Sequence, residues 1–241
     1  MNSQKLINEI EHGKFIAQKG EKVWNWSSPA GKIRWERRVS MFKEFLKNNN
    51  KKVLEIGCGT GLFTKEIAGT ENEITAIDIS SELCEIAKNR INKKNVVFLV
   101  DDVCHTKFSN NSFDFIIGSS VLHHLDVDSA LEEFHRLLKP GGQIIFTEPN
   151  MLNPQIALQK NIPFLKKMAG DSPDETAFIR WKIEKKMKNF GFINVSAVPF
   201  DFLHPSAPVF MVKFLQPIFS FFERVPLLKE IAGSLIIKGE K

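Results

Sequence analysis

KKVLEIGCGTGLFTKEIAG, residues 51–69, is the most informative segment for predicting the fold of this chain. Its apolar run stops at Gly57, Gly59 and Gly61, and a helical pattern of apolar residues follows. Glycine at every second position is unfavourable inside any regular element, so the backbone of this loop must need to be bare. Two interpretations follow: a tight turn between a strand and a helix, or a loop that a nucleotide approaches closely.

Strands and helices alternate along the rest of the chain. Because the strands are almost continuously apolar and are separated by helices, they predict a parallel sheet covered on both faces. The fold class is therefore α/β, a doubly wound sheet in three layers. Pro173 is expected to open the last helix. The predicted strands span residues 52–56, 73–77, 96–100, 113–118, 142–147, 192–200 and 233–239. The predicted helices span residues 3–18, 33–47, 60–68, 81–91, 126–138 and 173–189.

The composition fits one globular domain with an ordinary core. Of 241 residues, 43% are hydrophobic and 25% are charged, which is enough apolar surface to fold without disulfides or metals. The net charge of +5 is spread along the chain, so no nucleic-acid partner is expected. The three cysteines form no CxxC pair, so we predict no metal site and no disulfide. Because the N-terminus has no apolar leader and no apolar stretch approaches a spanning length, the expected location is the cytoplasm.

The spacing of the glycines separates two classes of nucleotide. A dinucleotide fold needs G-x-G-x-x-G, but Leu62 stands where its third glycine would be. The loop instead reads E-x-G-x-G-x-G, with Glu55 two residues before the first glycine. Asp78 follows the second predicted strand, where a carboxylate can accept both ribose hydroxyls, while Ser80 is the better N-cap for the next helix. Ile79 can pack against an adenine face.

Residues 51–150 resemble the class I S-adenosylmethionine-dependent methyltransferases. EIGCGTG is similar to their motif I, and ALEEFHRLLKPGGQIIFTEPN is similar to the helix, turn and fifth strand that follow. The resemblance implies a Rossmann-like sheet of seven strands, the last antiparallel, and S-adenosyl-L-methionine as the cofactor. It aligns Asp102, rather than Asp101, with the acid that binds the adenine amino group. The expected cofactor-binding residues are Glu55, Gly57, Cys58, Gly59, Gly61, Asp78, Ile79, Asp102, Val103 and Ser119.

Candidate catalytic residues lie at the ends of the predicted strands. Methyl transfer is an in-line displacement, and a base assists it when the acceptor atom carries a proton. His123 and His124 follow the fourth strand in SSVLHHL, and the resemblance favours His124 as the residue that faces the site. Glu148, in TEPN, either binds or deprotonates the substrate, or it anchors its loop. His204 ends the sixth strand on the same face and is a further candidate.

The sequence after the fourth strand indicates the class of acceptor. Enzymes of this class that methylate nucleic-acid amino groups usually carry an (Asp/Asn/Ser)-Pro-Pro-aromatic motif there, whereas this chain has SSVLHHL. That form resembles the broad type 11 group of small-molecule methyltransferases. The prediction is an enzyme that methylates a small-molecule or lipid-linked acceptor. The alternatives are a nucleic-acid or protein methyltransferase and a non-catalytic domain that binds S-adenosylmethionine.

Segments outside the strand–helix alternation are expected to select the acceptor. Residues 1–50 are predicted to form an N-terminal helical cap, and residues 51–241 a methyltransferase domain with lid insertions at about 149–172 and 203–231. The second insertion is apolar all round. It is interpreted as a buried helical lid kinked at Pro217, as a groove or membrane-contacting surface for a lipid-like substrate, or as a dimer interface. The expected assembly is a monomer or a homodimer.

Overall fold

A mixed sheet of seven strands forms the centre of the computed structural model, which describes residues 3–48, 50–172, 174–205 and 207–241. The order across the sheet is β3-β2-β1-β4-β5-β7-β6, and β7 alone runs antiparallel to its neighbours. The predicted α/β class with seven strands, the last antiparallel, is confirmed. The strands are β1 (Lys52–Ile56), β2 (Glu73–Asp78), β3 (Val96–Val100), β4 (Phe113–Ser119), β5 (Leu138–Pro149), β6 (Ile193–Phe200) and β7 (Ser234–Glu240).

Ten α-helices are found among the described residues, with two short 3₁₀ helices at Glu21–Trp24 and Leu122–His124. Ser80 caps α4 as predicted, because its hydroxyl accepts from the N–H of Leu83. The helices are α1 (Ser3–Lys19), α2 (Pro29–Phe45), α3 (Leu62–Ile67), α4 (Ser81–Arg90), α5 (Val127–Leu137), α6 (Pro154–Asn161), α7 (Pro163–Ala169), α8 (Arg180–Asn189), α9 (Val209–Phe222) and α10 (Pro226–Lys229).

Alternate residues of the central strands point to opposite faces of the sheet, which produces two separate cores. On one face, Leu54 and Ile56 of β1 pack in a cluster that includes α5 and α8. On the other face, Val53 packs in a cluster that includes α2, α3 and α4. Because helices cover both faces, the carboxyl ends of the strands are the place where an open α/β sheet binds its ligand.

The helix predicted to start at residue 173 begins only at Arg180. Pro173 itself lies outside the described residues. Phe178 forms a bridge with Asn150, and its N–H donates to the carbonyl of Pro149 at 3.0 Å. This pairing holds the residues before Arg180 against the end of β5, so the helix starts late.

The insertion at 203–231 forms α9 and α10, and it is not a buried lid. Val212 and Phe219 pack toward α2, but one stripe of α9 faces solvent, so the buried-lid interpretation is wrong. The helix continues through Pro217. The exposed stripe consists of Phe210, Phe214, Ile218 and Phe221, which are 74%, 75%, 46% and 61% exposed. None of the described helices combines the length and apolarity needed to cross a bilayer.

Candidate functional site

The glycine loop after β1 is kept open by left-handed backbone and by a close neighbour. Gly57 has a φ of +62°, and a Cβ at this position would lie 2.3 Å from Cγ2 of Val121. Gly59 has a φ of +52°, and its N–H donates to Oδ2 of Asp78 at 2.8 Å. Residues with a side chain rarely adopt this backbone conformation. The loop is therefore a fixed backbone edge at the carboxyl end of β1, where a ligand can approach closely.

Asp78 ends β2 beside this loop. Its Oδ1 accepts from the N–H of Ser80 at 2.9 Å, and its Oδ2 accepts from the N–H of Gly59. Burial raises the pKa of Asp78, and these two backbone donors oppose that rise. The carboxylate is thus held between the loop and α4, while each oxygen keeps a second lone pair that a ligand hydroxyl can use.

One cavity of about 700 Å³ extends from the glycine loop to residues 201–205 at the end of β6. Gly61 is the one predicted cofactor residue that does not border it, because it lies at the start of α3 against Ala87. Asp101 borders the cavity as well as Asp102. The hydroxyl of Ser119 is paired with Oγ1 of Thr147 at 2.9 Å. The predicted residues that the structure brings together here are Glu55, Gly57, Cys58, Gly59, Asp78, Ile79, Asp102, Val103 and Ser119.

Glu55, just before the loop, carries an unpaired acceptor. Its side chain is buried, and its Oε2 has no hydrogen-bond partner among the described residues. Burial raises the pKa of Glu55 to about 8. A cation beside Glu55 would satisfy this oxygen, which fits the ammonium group of S-adenosylmethionine. The thiol of Cys58 is buried beside that of Cys84. A hydrogen bond with Cys84, together with burial, raises the pKa of Cys58, so Cys58 contributes packing rather than reactivity.

A buried carboxylate–imidazole pair lies where β4 and β5 end. Nδ1 of His123 lies 2.6 Å from Oε2 of Glu148, and Oε1 of Glu148 accepts from the N–H groups of Val121 and Leu122. Burial, together with the charge of His124, lowers the pKa of His123 well below 6.5, and burial raises the pKa of Glu148 to about 7. His123 borders the cavity and Glu148 does not. Through these contacts Glu148 anchors the residues that follow β4, and a direct role of Glu148 toward substrate stays a prediction.

His124 joins two acidic residues from distant parts of the chain. Its Nδ1 lies 2.9 Å from Oε2 of Glu9 in α1 and 3.7 Å from Oε1 of Glu175. Burial lowers the pKa of His124, but Glu9 and Glu175 outweigh burial and raise it above 6.5. His124 borders the cavity, and its contacts with Glu9 and Glu175 favour the protonated imidazolium, which has no lone pair to accept a proton.

Three charged residues near His123 and His124 were not predicted from the sequence. Glu9, Lys160 and Glu175 come from α1, α6 and the segment before α8, and no local motif marks them. Nζ of Lys160 lies 2.5 Å from Oε2 of Glu175 and 2.8 Å from Oδ2 of Asp171. The sequence gives a signal for Lys160 alone, because residues 149–172 follow a strand that ends on the ligand face.

The two histidines and Glu175 also have the spacing of metal ligands. One donor atom from each of His123, His124 and Glu175 lies within 4.8 Å of the others. The ammonium group of Lys160 already contacts the Glu175 carboxylate, so an ion would have to compete with it. The absence of a metal site stays a prediction.

Several known proteins that are similar to this chain are methyltransferases. Residues 54–146 match a family model, Methyltransf_11, described as a methyltransferase domain. The chain is 27% identical to the demethylmenaquinone methyltransferase of Staphylococcus aureus over 220 residues, which cover 81% of this chain and 90% of that protein. It is 29% identical to the demethylmenaquinone methyltransferase of Staphylococcus epidermidis over 179 residues, which cover 68% of this chain and 73% of that protein.

The solved structures extend the similarity to the fold. A SAM-dependent methyltransferase from Thermotoga maritima, a possible histamine N-methyltransferase, superposes with a TM-score of 0.62 at 22% identity. The match covers 84% of this chain and 87% of that one, and at this identity it shows the fold alone. The matching methyltransferase domain, the methyltransferase relatives and a seven-stranded sheet of this order identify this chain as an S-adenosylmethionine-dependent methyltransferase with the class I fold.

Proposed function

We propose that this enzyme methylates a lipid-linked aromatic acceptor, the reduced hydroquinone form of a quinone-type lipid, with His123 as the proton acceptor. The observation that carries the proposal is one continuous cavity bordered by the glycine loop, by His123 and by an aromatic wall. The wall contains Trp26, Trp35 and Phe63, and the ring centroids lie 5.7 Å apart for the two tryptophans and 4.1 Å apart for Trp35 and Phe63. Such rings stack on planar apolar ligands.

The cofactor is proposed to lie along the glycine loop and the ends of β2 and β3. Asp78 accepts the ribose hydroxyls, Glu55 accepts from the ammonium group, and Asp102 accepts from the adenine amino group. The N–H of Cys104 donates to Oδ1 of Asp102 at 3.0 Å, which orients that carboxylate. S-adenosylmethionine supplies an electrophilic methyl group on a sulfonium, whose departure needs no acid.

His123 is proposed as the base because Glu148 selects its tautomer. Neutral His123 donates its Nδ1 proton to Glu148, which leaves a lone pair on Nε2. Nε2 lies 3.8 Å from Oε2 of Glu175, so the lone pair is on the side opposite Glu148. As the acceptor atom attacks the methyl carbon, its proton passes to Nε2. Glu148 and Glu175 then stabilise the imidazolium that forms.

The acceptor class is supported by the relatives and by the surface of α9. The two staphylococcal relatives are named for demethylmenaquinone, a lipid-like quinone. Phe210, Phe214 and Phe221 are spaced by one and two helical turns and therefore share the face of α9 that points away from α2. Lys213 and Arg224 are exposed in and just after the same helix. An apolar stripe flanked by cations is typical of a helix that rests in a membrane interface.

Peripheral membrane contact gives the acceptor a short route to the active site. Residues 202–205 lead directly into α9 and border the cavity. An acceptor drawn from a bilayer beside α9 therefore enters next to the aromatic wall. The stripe of α9 is proposed to contact anionic lipid.

Phe210→Ser combined with Phe214→Ser is expected to abolish co-flotation with vesicles that contain phosphatidylglycerol, because these rings are the most exposed of the stripe. Ile193→Ser combined with Val198→Ser is the matched control, since these residues are 55% and 46% exposed on β6. The control variant should float with the vesicles as the wild type does. High salt should weaken the co-flotation of the wild type and of the control, because it screens the attraction to anionic lipid. A wild type that stays at the bottom of the gradient refutes membrane contact. A dimer that dissociates in the double variant assigns the stripe to a homodimer instead.

We also propose a cytoplasmic enzyme with an N-terminal helical cap at residues 1–50 and a methyltransferase domain at residues 51–241. The three cysteines are unpaired and buried, which is compatible with the reducing cytoplasm. The cap at 1–50 and the insertions at 149–172 and 203–231 all supply residues to the cavity, which supports their proposed role as a cover over the site. A monomer and a homodimer are both compatible with the α9 surface.

The function is tested by following the methyl group. The protein is incubated with methyl-labelled S-adenosylmethionine and with separate lipid, RNA and protein extracts. Label in the lipid extract is the expected result. Label confined to RNA or to protein favours the nucleic-acid or protein methyltransferase, and cofactor binding without label in any extract favours the non-catalytic domain.

A further inference from the structure

A second charged group borders the cavity where β6 ends. Arg34 and Arg38 lie one turn apart on α2, and both contact Oδ2 of Asp201, at 2.7 Å and 2.8 Å. Nη2 of Arg38 also donates to the hydroxyl of Ser234 at 2.7 Å. Both guanidinium groups lie against the ring of Trp26, 5.7 Å and 5.5 Å from its centroid. This basic subsite combines cations with an aromatic surface.

The basic subsite carries one more positive than negative charge. Arg34 and Arg38 share the single carboxylate of Asp201. The third arginine of α2, Arg37, is paired with both oxygens of Glu223 and does not enter this count. The side chains of Arg34, Arg38 and Asp201 are only 15%, 3% and 3% exposed, so water compensates little of this charge. Burial, with Arg34 and Arg37, lowers the pKa of Arg38 to about 10 although Asp201 opposes it. A buried excess cation is unfavourable unless an anion pairs with it.

The basic subsite also contains guanidinium N–H donors that have no hydrogen-bond partner among the described residues. Nε of Arg38 is buried without a partner among the described residues. Arg34 uses its Nε for Asp201, and its two terminal nitrogens make no hydrogen bond within the described part of the chain. The terminal nitrogens of arginine form a planar fork that matches the two oxygens of an anion. The site has both the charge and the donors that an anionic oxygen requires.

We propose that Arg34, supported by Arg38, binds an anionic oxygen of the acceptor, a carboxylate or phenolate on an aromatic ring that packs against Trp26. This assignment rests on the proposed function, because it concerns the acceptor end of the same cavity. The guanidinium groups hold the ring in one orientation.

The test is a binding measurement on the wild-type protein. The protein is saturated with S-adenosylhomocysteine and titrated in a calorimeter with 1-naphthoate and with the neutral isostere 1-naphthamide. Naphthoate is expected to bind at least about tenfold more tightly. Equal affinities overturn the subsite. A protein that does not bind S-adenosylhomocysteine at all contradicts the proposed function instead, so the two failures are distinguishable.

Arg34→Gln is expected to remove the preference for naphthoate and to leave the affinities for naphthamide and S-adenosylhomocysteine unchanged. Arg37→Gln is the matched control on the same helix, and it should keep the preference because Arg37 is paired with Glu223 and does not border the cavity. A preference that persists in Arg34→Gln contradicts the proposal. If this variant does not fold, the wild-type comparison still decides. Acetate and inorganic phosphate that bind as tightly as naphthoate would assign the arginines to a free anion and overturn the aromatic acceptor.

Discussion

Glu148→Gln is expected to lower kcat by about 10²–10⁴-fold, the range that a general base contributes, without changing the affinity for S-adenosylmethionine. Glu148 accepts the Nδ1 proton of His123 in the wild type. In the variant, the amide oxygen remains with its two donors, the N–H groups of Val121 and Leu122, so the amide NH₂ faces His123. That NH₂ donates to Nδ1 and moves the histidine proton to Nε2, which removes the lone pair that accepts the substrate proton.

Because His123 and Glu148 titrate as a pair, we expect kcat to fall at acidic pH. Burial raises the pKa of Glu148 to about 7 and lowers the pKa of His123, so the pair takes up one proton as the pH falls through about 7. A proton on either residue blocks Nε2, and the rate is therefore full above this pH and lost below it. Glu133→Gln is the control, because Glu133 is a buried carboxylate bonded to Thr106 and Arg136 away from the cavity. An unchanged kcat in Glu148→Gln, with the cofactor still bound, refutes the role of the pair.

Asp78→Ala is expected to weaken the binding of S-adenosylmethionine at least about tenfold in calorimetry. The variant removes the acceptor for the ribose hydroxyls and also the oxygen that holds the N–H of Gly59 at 2.8 Å. Asp78→Asn separates these effects, since it keeps one oxygen for the loop but loses the charge. Asp101→Ala is the matched control, because Asp101 borders the same cavity but is not aligned with a cofactor contact. If Asp78→Ala binds the cofactor as tightly as the wild type, the cofactor assignment fails.

The sheet and the cofactor end of the site are predictable from the sequence because their signals are local. The glycine loop, the strand before it and Asp78 after the next strand each follow from short patterns, and parallel strands place their carboxyl ends at one edge. The orientation of the Glu148 side chain, in contrast, does not follow from a local pattern. Its position at the end of β5 is predictable, but whether it points to the cavity or to His123 depends on the register between β4 and β5.

The acceptor end could not be predicted because its residues meet only in three dimensions. Arg34 and Asp201 are far apart in the chain, and no motif links them. The same is true of Glu9 and Glu175, which meet around His124. The prediction that α9 is buried was wrong for a similar reason. A helix that is apolar all round can be covered by protein or by lipid, and its composition does not distinguish the two.

Mass spectrometry of membrane lipids is the decisive measurement. A lipid extract is reduced, so that its quinones become hydroquinones, and is incubated with the protein and with S-adenosylmethionine that carries a trideuteromethyl group. We expect a quinone-type lipid to exchange one hydrogen for a trideuteromethyl group, and Glu148→Gln to fail to transfer it. If the protein binds S-adenosylmethionine in calorimetry but leaves every lipid species unlabelled, lipid methylation is refuted.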